Sequence, residues 1–192
     1  MQFKSIALAA LAVAAFTQSA TAATIWDEGI DGDLSGNQSA PTVLVVDVGS
    51  NSITGVTQTG DVDFFTFTVP DGANLAQIIL TSFDSADDLA FLAIQSGPVI
   101  TDTTSAANLL GWVHASATFV GTNVLDDLAN GAGALGFTTP LGPGTYTVWM
   151  QQTGADPVAY GLDLVLRVPE PSTALLFAFG IAALGFARRR RA

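Results

Sequence analysis

Apolar residues between Ala23 and Arg167 come in short runs, and none keeps the roughly 3.6-residue period of an amphipathic helix. What recurs is alternation. In Asp63–Val69, Phe65, Phe67 and Val69 share one face, while Phe64, Thr66 and Thr68 share the other. Tyr146, Val148 and Met150 alternate within Thr145–Gln151, as do Leu162, Leu164 and Leu166 within Tyr160–Arg167. Val43–Val48, Ile53–Thr57, Leu75–Thr81 and Trp112–Val120 have strand-forming compositions, the last interrupted near Ala115. Leu89–Gln95 is nearly all apolar, as a central strand buried on both faces would be. Gly49-Ser50-Asn51, Pro70-Asp71-Gly72-Ala73-Asn74, Pro143-Gly144 and Gly154-Ala155-Asp156-Pro157 read as the turns between them. Asp126–Gly136, rich in Gly and Ala, reads as a loop or a single helical turn. The pattern predicts an all-β fold, an antiparallel β-sandwich or jelly roll of about eight strands. Its expected core includes Phe65, Phe67, Leu89, Phe91, Tyr146, Val148, Leu162 and Leu164.

The two ends follow different rules. Met1-Gln2-Phe3-Lys4 supplies a positive start, Ile6–Phe16 an apolar stretch, and Ala20-Thr21-Ala22 small residues at a cleavage point. That order makes residues 1–22 a secretory signal peptide rather than a first helix of the domain. At the other end, Val168, Pro169, Glu170, Pro171 and Ser172 precede an apolar run, Thr173–Ala187, closed by Arg188, Arg189, Arg190 and Arg191. Fifteen helical residues rise about 22 Å, short of the roughly 30 Å hydrocarbon core, and the arginine stems extend the span by snorkelling. The arginines hold that end in the cytoplasm. Residues 23–167 are then expected outside the inner membrane as one acidic domain. Residues 168–192 form a tail whose transmembrane helix touches the membrane before any processing.

The Val168–Pro171 motif, the single short hydrophobic helix and the terminal arginine cluster together resemble the PEP-CTERM sorting signal, over residues 168–192. Tails of that family are recognised and processed by exosortase, a membrane transpeptidase-like enzyme. The resemblance implies a Gram-negative bacterium that makes exopolysaccharide, signal peptidase and exosortase as partners during export, and delivery to the cell envelope surface or extracellular matrix. A permanent C-terminal anchor would share this topology and differ only in whether the helix is removed. A second resemblance lies in the body. Gly60-Asp61-Val62-Asp63-Phe64-Phe65-Thr66-Phe67-Thr68-Val69, Ala86–Leu92, and Gly142–Val148 with Tyr160–Leu164 resemble the opening strand, acidic turn and closing hairpin of bacterial pre-peptidase C-terminal domains. Those are β-sandwiches attached to secreted enzymes, and some bind calcium or matrix polymers. This chain departs from them in its long segment between Gln95 and Gly142.

Charge narrows the choice of partner. All 17 acidic residues fall between Asp27 and Glu170, against Arg167 alone, so this stretch is far more negative than the whole-chain −11 suggests. Such a body has almost nothing to neutralise a phosphate, which excludes nucleic acid. The absence of Cys excludes disulfides, thiolate chemistry and Cys-ligated zinc. Nearly all the acids are Asp, which suits turns and calcium ligation. Asp61 and Asp63, two apart at the mouth of a strand, leave on one face, and Asp84, Asp87 and Asp88 cluster in the turn before Leu89. Two such loops meeting at one end of a sandwich would hold calcium with the help of backbone carbonyls. The alternative is a turn cap at Asp63 and a solvated surface elsewhere. Asp27–Asp33 is acidic too, but lacks the spacing and terminal Glu of an EF-hand, and reads as a mobile leader or edge segment.

Nothing marks out a catalytic constellation. His114 is the single histidine and sits in an apolar run, no Gly-x-Ser-x-Gly elbow is present, and the body lacks Lys. A hydrolase built on paired carboxylates has only the abundance of acids behind it. Trp149 lies on the face opposite Tyr146 and Val148, where it either packs or presents an indole to a sugar ring. The sequence therefore predicts an exported, non-enzymatic surface or matrix protein, with a calcium- or polysaccharide-binding module as the alternative and exopolysaccharide as the partner.

Overall fold

Two-residue alternation becomes pleat, and the inward positions of each run meet across a shared core. The computed structural model describes residues 22–169. Residues 1–21 of the expected signal peptide lie outside the described residues, as do Glu170, Pro171, the apolar run Thr173–Ala187 and Arg188–Arg191. Among the described residues no helix is long and apolar enough to cross a membrane, and the expected span falls outside them. The strands are β1 (Ala23–Asp27), β2 (Thr42–Val43), β3 (Gly49–Thr57), β4 (Val62–Val69), β5 (Asn74–Asp84), β6 (Ala90–Ser96), β7 (Gly111–Ala115), β8 (Gly144–Gln152) and β9 (Val158–Arg167). Among the described residues these strands are accompanied by two one-turn α-helices, α1 (Glu28–Asp31) and α2 (Leu125–Leu128).

The strands form two sheets, ordered β1-β3-β9-β5 and β2-β4-β8-β6-β7. Phe65, Phe67 and Val69 of β4 and Tyr146, Val148 and Met150 of β8 face Leu162, Leu164 and Leu166 of β9 across an apolar interior. The fold is the expected sandwich, with nine strands rather than about eight. It is not wholly antiparallel: β1 pairs parallel with β3, and β2 parallel with β4, both at sheet margins.

Several boundaries differ from the expectation. Gly49-Ser50-Asn51 is not a turn but the start of β3. Buried Asn51 makes this possible by donating to the carbonyls of Asp47 at 2.8 Å and Leu164 at 3.0 Å. Of Val43–Val48 only the first residue is strand, although Leu44 and Val46 still point into the core. Trp112–Val120 stops at Ala115 and turns through a short 3-10 segment, Ala117–Phe119. Leu89 is not core. Asp88 takes φ 51°, a left-handed turn, and β6 starts only at Ala90, leaving Leu89 38% exposed. Ala90, Leu92 and Ile94 then face the main core, and Phe91 turns to the outer side of its sheet.

That outer side is covered as well. Phe64, Ala93, Ile100, Leu109 and Trp149 form a second apolar cluster beneath the long segment between β6 and β8. The same segment closes the flank between the two sheets: Val124, Leu125 and Leu128 plug it, and Val124 donates to the Ile78 carbonyl at 2.8 Å. The long excursion is therefore wall and cover, the reason a nearly all-apolar β6 can be buried on both faces.

The two poles of the sandwich differ. Ala23 aligns with Asn51, and Gly49 with Leu166, so the first strand begins and the last strand ends toward the same pole. The β3–β4, β5–β6 and β8–β9 connections all lie at the opposite pole.

Candidate functional site

Asp63 occupies a position whose parity belongs to the core. It precedes Phe65 and Phe67 on the inward face of β4 and is fully buried at the mouth between the sheets. From the facing sheet, Tyr160 of β9 donates its hydroxyl to Asp63 Oδ2 at 2.7 Å. The phenol has room because β3 carries glycine opposite it, where a Cβ at Gly55 would meet Tyr160 Oη at 2.6 Å. Asp63 Oδ1 has no hydrogen-bond partner among the described residues. A buried carboxylate oxygen left unpaired is costly.

The segment after β1 laps over this mouth. Asp27 caps α1 by accepting from Gly29 N at 2.9 Å, and Asp31 accepts from Asp27 N at 2.8 Å. The Trp26 indole donates to the Gly32 carbonyl at 3.1 Å, and Leu34 anchors the lap in the core. Glu28 fastens it to the body, accepting Leu34 N at 3.0 Å and Val56 N at 2.7 Å. In consequence Glu28, exposed Asp33 and buried Asp63 each bring a carboxylate oxygen to within 4.8 Å of one another.

The electrostatics reflect this crowding. Burial pushes the Asp63 carboxyl up to about 8; the Tyr160 hydrogen bond opposes the rise, and Glu28, Asp61 and Asp33 add to it. Burial, then the Asp63 charge, holds the Tyr160 phenol well above its ordinary range. Glu28 is raised by burial against the two backbone N–H groups it accepts, and Asp61 by burial and by Asp33. Arg167, the one Lys or Arg among the described residues, aligns with Asn74 at the other pole.

The five acids singled out in the sequence are thus divided. Asp63 joins Glu28 and Asp33, Asp61 is near enough to feel the charge of Asp33 but stands outside that trio, and Asp84, Asp87 and Asp88 occupy the β5–β6 turn at the same pole. There Asp87 accepts from Asp156 N at 3.0 Å, from Ser85 Oγ at 2.8 Å and from Ala155 N, bonds that hold its carboxyl below the usual range. Asp88 accepts from Ala117 N at 2.6 Å. These two carboxylates tie loops together, and Asp84 is exposed at the end of β5. Glu28 and Asp33, read from the sequence as leader, are the members that local reasoning missed.

A second concavity lies on the outer face of the five-stranded sheet. A cleft of about 330 Å³ is lined by Phe91, Trp112, Trp149, Thr103 and Gln151. Phe91 stacks on Trp112, with ring centroids 5.6 Å apart, and meets Trp149 edge-on at 4.7 Å. Trp149 is buried, and the Trp112 indole N–H is taken by the Ala132 carbonyl at 2.9 Å. His114 is exposed on β7, with the Trp112 and Phe91 rings 5.3 and 6.1 Å away.

The PEP-CTERM protein-sorting motif matches residues 167–191 and so begins on the last residue of β9. It marks the chain for export to the cell envelope and for processing through the exosortase sorting system. No curated protein and no solved structure matches the chain.

Proposed function

We propose that the chain is a non-enzymatic structural or adhesive component of the cell surface or extracellular matrix, with the sandwich as its working part. The observation that carries this reading is the junction at Arg167. The sorting motif begins on the last residue of β9, an interior strand of its sheet, so processing beyond that strand leaves every described strand in place. The solitary exposed His114, with aromatic neighbours, and loop-bound Asp87 and Asp88 support a body built for display rather than turnover. Intact-mass analysis of the protein recovered from the surface fraction tests the sorting step. The expected mature species lacks residues 1–22 and the Thr173–Ala187 run. A surface species that retains that run would replace this reading with a permanent anchor.

A second reading rests on the outer cleft. Its aromatic walls and its hydroxyl and amide groups, with no charged residue in the lining, suit a neutral polysaccharide, since a sugar offers both apolar ring faces and hydrogen-bonding edges.

A further inference from the structure

We propose that Glu28, Asp33 and Asp63 form a calcium site at the mouth of the sandwich, closing the segment after β1 onto β4. The spacing is the first reason. Calcium takes oxygens at about 2.3–2.6 Å, so two ligands of one ion lie no more than roughly 5 Å apart, and the three carboxylates offer atoms within 4.8 Å of one another.

Crowded carboxylates alone would not make a site; the second reason is the orphaned oxygen. Asp63 is fully buried, one oxygen is committed to Tyr160, and Oδ1 has no partner among the described residues. Arg167 is at the far pole, so no Lys or Arg among the described residues can compensate it. A cation in the mouth would satisfy Oδ1 and relieve the repulsion among Glu28, Asp33 and Asp63.

The donor set selects the ion. All ligands are carboxylate oxygens, with no His or Cys nearby, which disfavours zinc and copper. Glu28 is held by two backbone N–H groups yet keeps lone pairs free, and Asp33 is exposed and leaves a path from solvent. Three carboxylates drawn from two separate segments, the lap after β1 and β4, make a pliable cage, which calcium accepts and magnesium, with its tighter octahedron, does not.

The test uses the full chain, titrated with CaCl₂ or MgCl₂ at matched high ionic strength, read by calorimetry and by melting temperature. One calcium per chain is expected, with a dissociation constant in the range of about 10⁻⁴ to 10⁻³ M typical of extracellular modules. Magnesium should shift the melting temperature far less. Asp63→Asn keeps an acceptor for Tyr160 and removes the buried charge, so it should fold in chelator and lose the calcium response. Asp33→Ser, at an exposed position, removes one of the repelling charges, so it should not lower the chelator melting temperature; it should weaken calcium at least ten-fold, and it decides the matter should Asp63→Asn not fold. Paired Asp87→Asn and Asp88→Asn should leave the calcium affinity as it was. Equal shifts by both ions, or a calcium response that survives Asp33→Ser undiminished, would overturn the proposal.

Discussion

Replacing Phe67 with alanine probes whether the inward face of β4 holds the two sheets together. Phe67 is 1% exposed, lies opposite Tyr146 in the β4–β8 ladder, and has its ring centroid 6.1 Å from that of Tyr146. Returning its apolar surface to water costs about 1.5–3 kcal/mol. Losing the aromatic pair adds about 0.5–1.5 kcal/mol. The sum agrees with the roughly 3–5 kcal/mol typical of Phe→Ala in a core that cannot collapse around the gap. A domain of this size has only about 5–15 kcal/mol in hand. At roughly 3 °C per kcal/mol for a domain of this size, the melting temperature should therefore fall by about 6–14 °C. Thermal and guanidinium unfolding followed by tryptophan fluorescence measures this, since Trp149 lies in the separate outer cluster and is left in place. Phe91→Ala, a half-buried position outside the main core, is the control, with an expected loss of about 1–2 kcal/mol. A loss below about 1.5 kcal/mol at Phe67, or a larger one at Phe91, would refute the assignment of the two faces.

Two further outcomes follow from the site and the cleft. In chelator, stability should decline as pH rises. An acid raised by burial helps the fold only while protonated, so the Asp63 contribution is full below the unfolded value of 3.8 and lost as pH passes about 8. Urea midpoints across that window measure it; a midpoint flat in the parent, or a decline equally steep in Asp63→Asn, would contradict the Asp63 environment. On the outer face, retention of the protein in affinity gels containing a neutral polysaccharide should be lost on Trp112→Ala, and unaltered retention would remove the polysaccharide reading.

Where the sequence carried its own periodicity, the fold could be read from it. β4, β8 and β9 alternate cleanly, and the parity of Phe65, Phe67, Tyr146, Val148, Leu162 and Leu164 is the parity observed. The misreadings share one cause, a tertiary partner that outweighs local preference. Gly49-Ser50-Asn51 has the composition of a turn, yet the bonds of Asn51 to Asp47 and Leu164 make it strand. Leu89 looked like core because the start of β6 depends on the backbone of Asp88, which no apolar pattern records. The acidic mouth was half legible. The parity of β4 places Asp63 inward beside Phe65 and Phe67, a signal of an unusual carboxylate present in the sequence. Glu28 and Asp33 come from more than twenty-five residues upstream in a segment without periodicity, and only the lap over the mouth brings them there.

The difference between the two poles gives the molecule a bearing. Arg167 stands where the chain leaves for its sorting signal, while Glu28, Asp33, Asp61, Asp63, Asp84, Asp87 and Asp88 gather at the opposite end. The nine residues of β3 separate these ends by about 30 Å. A charged surface in physiological salt is felt over only about 8 Å. Before processing, with the tail still in the membrane, a sandwich standing upright would carry its negative cap beyond the reach of an anionic bilayer; lying down, it would press that cap into the repulsive layer. Charge placement would then act as a righting moment on the unprocessed chain, turning its acidic end away from the bilayer without any contact to hold it there.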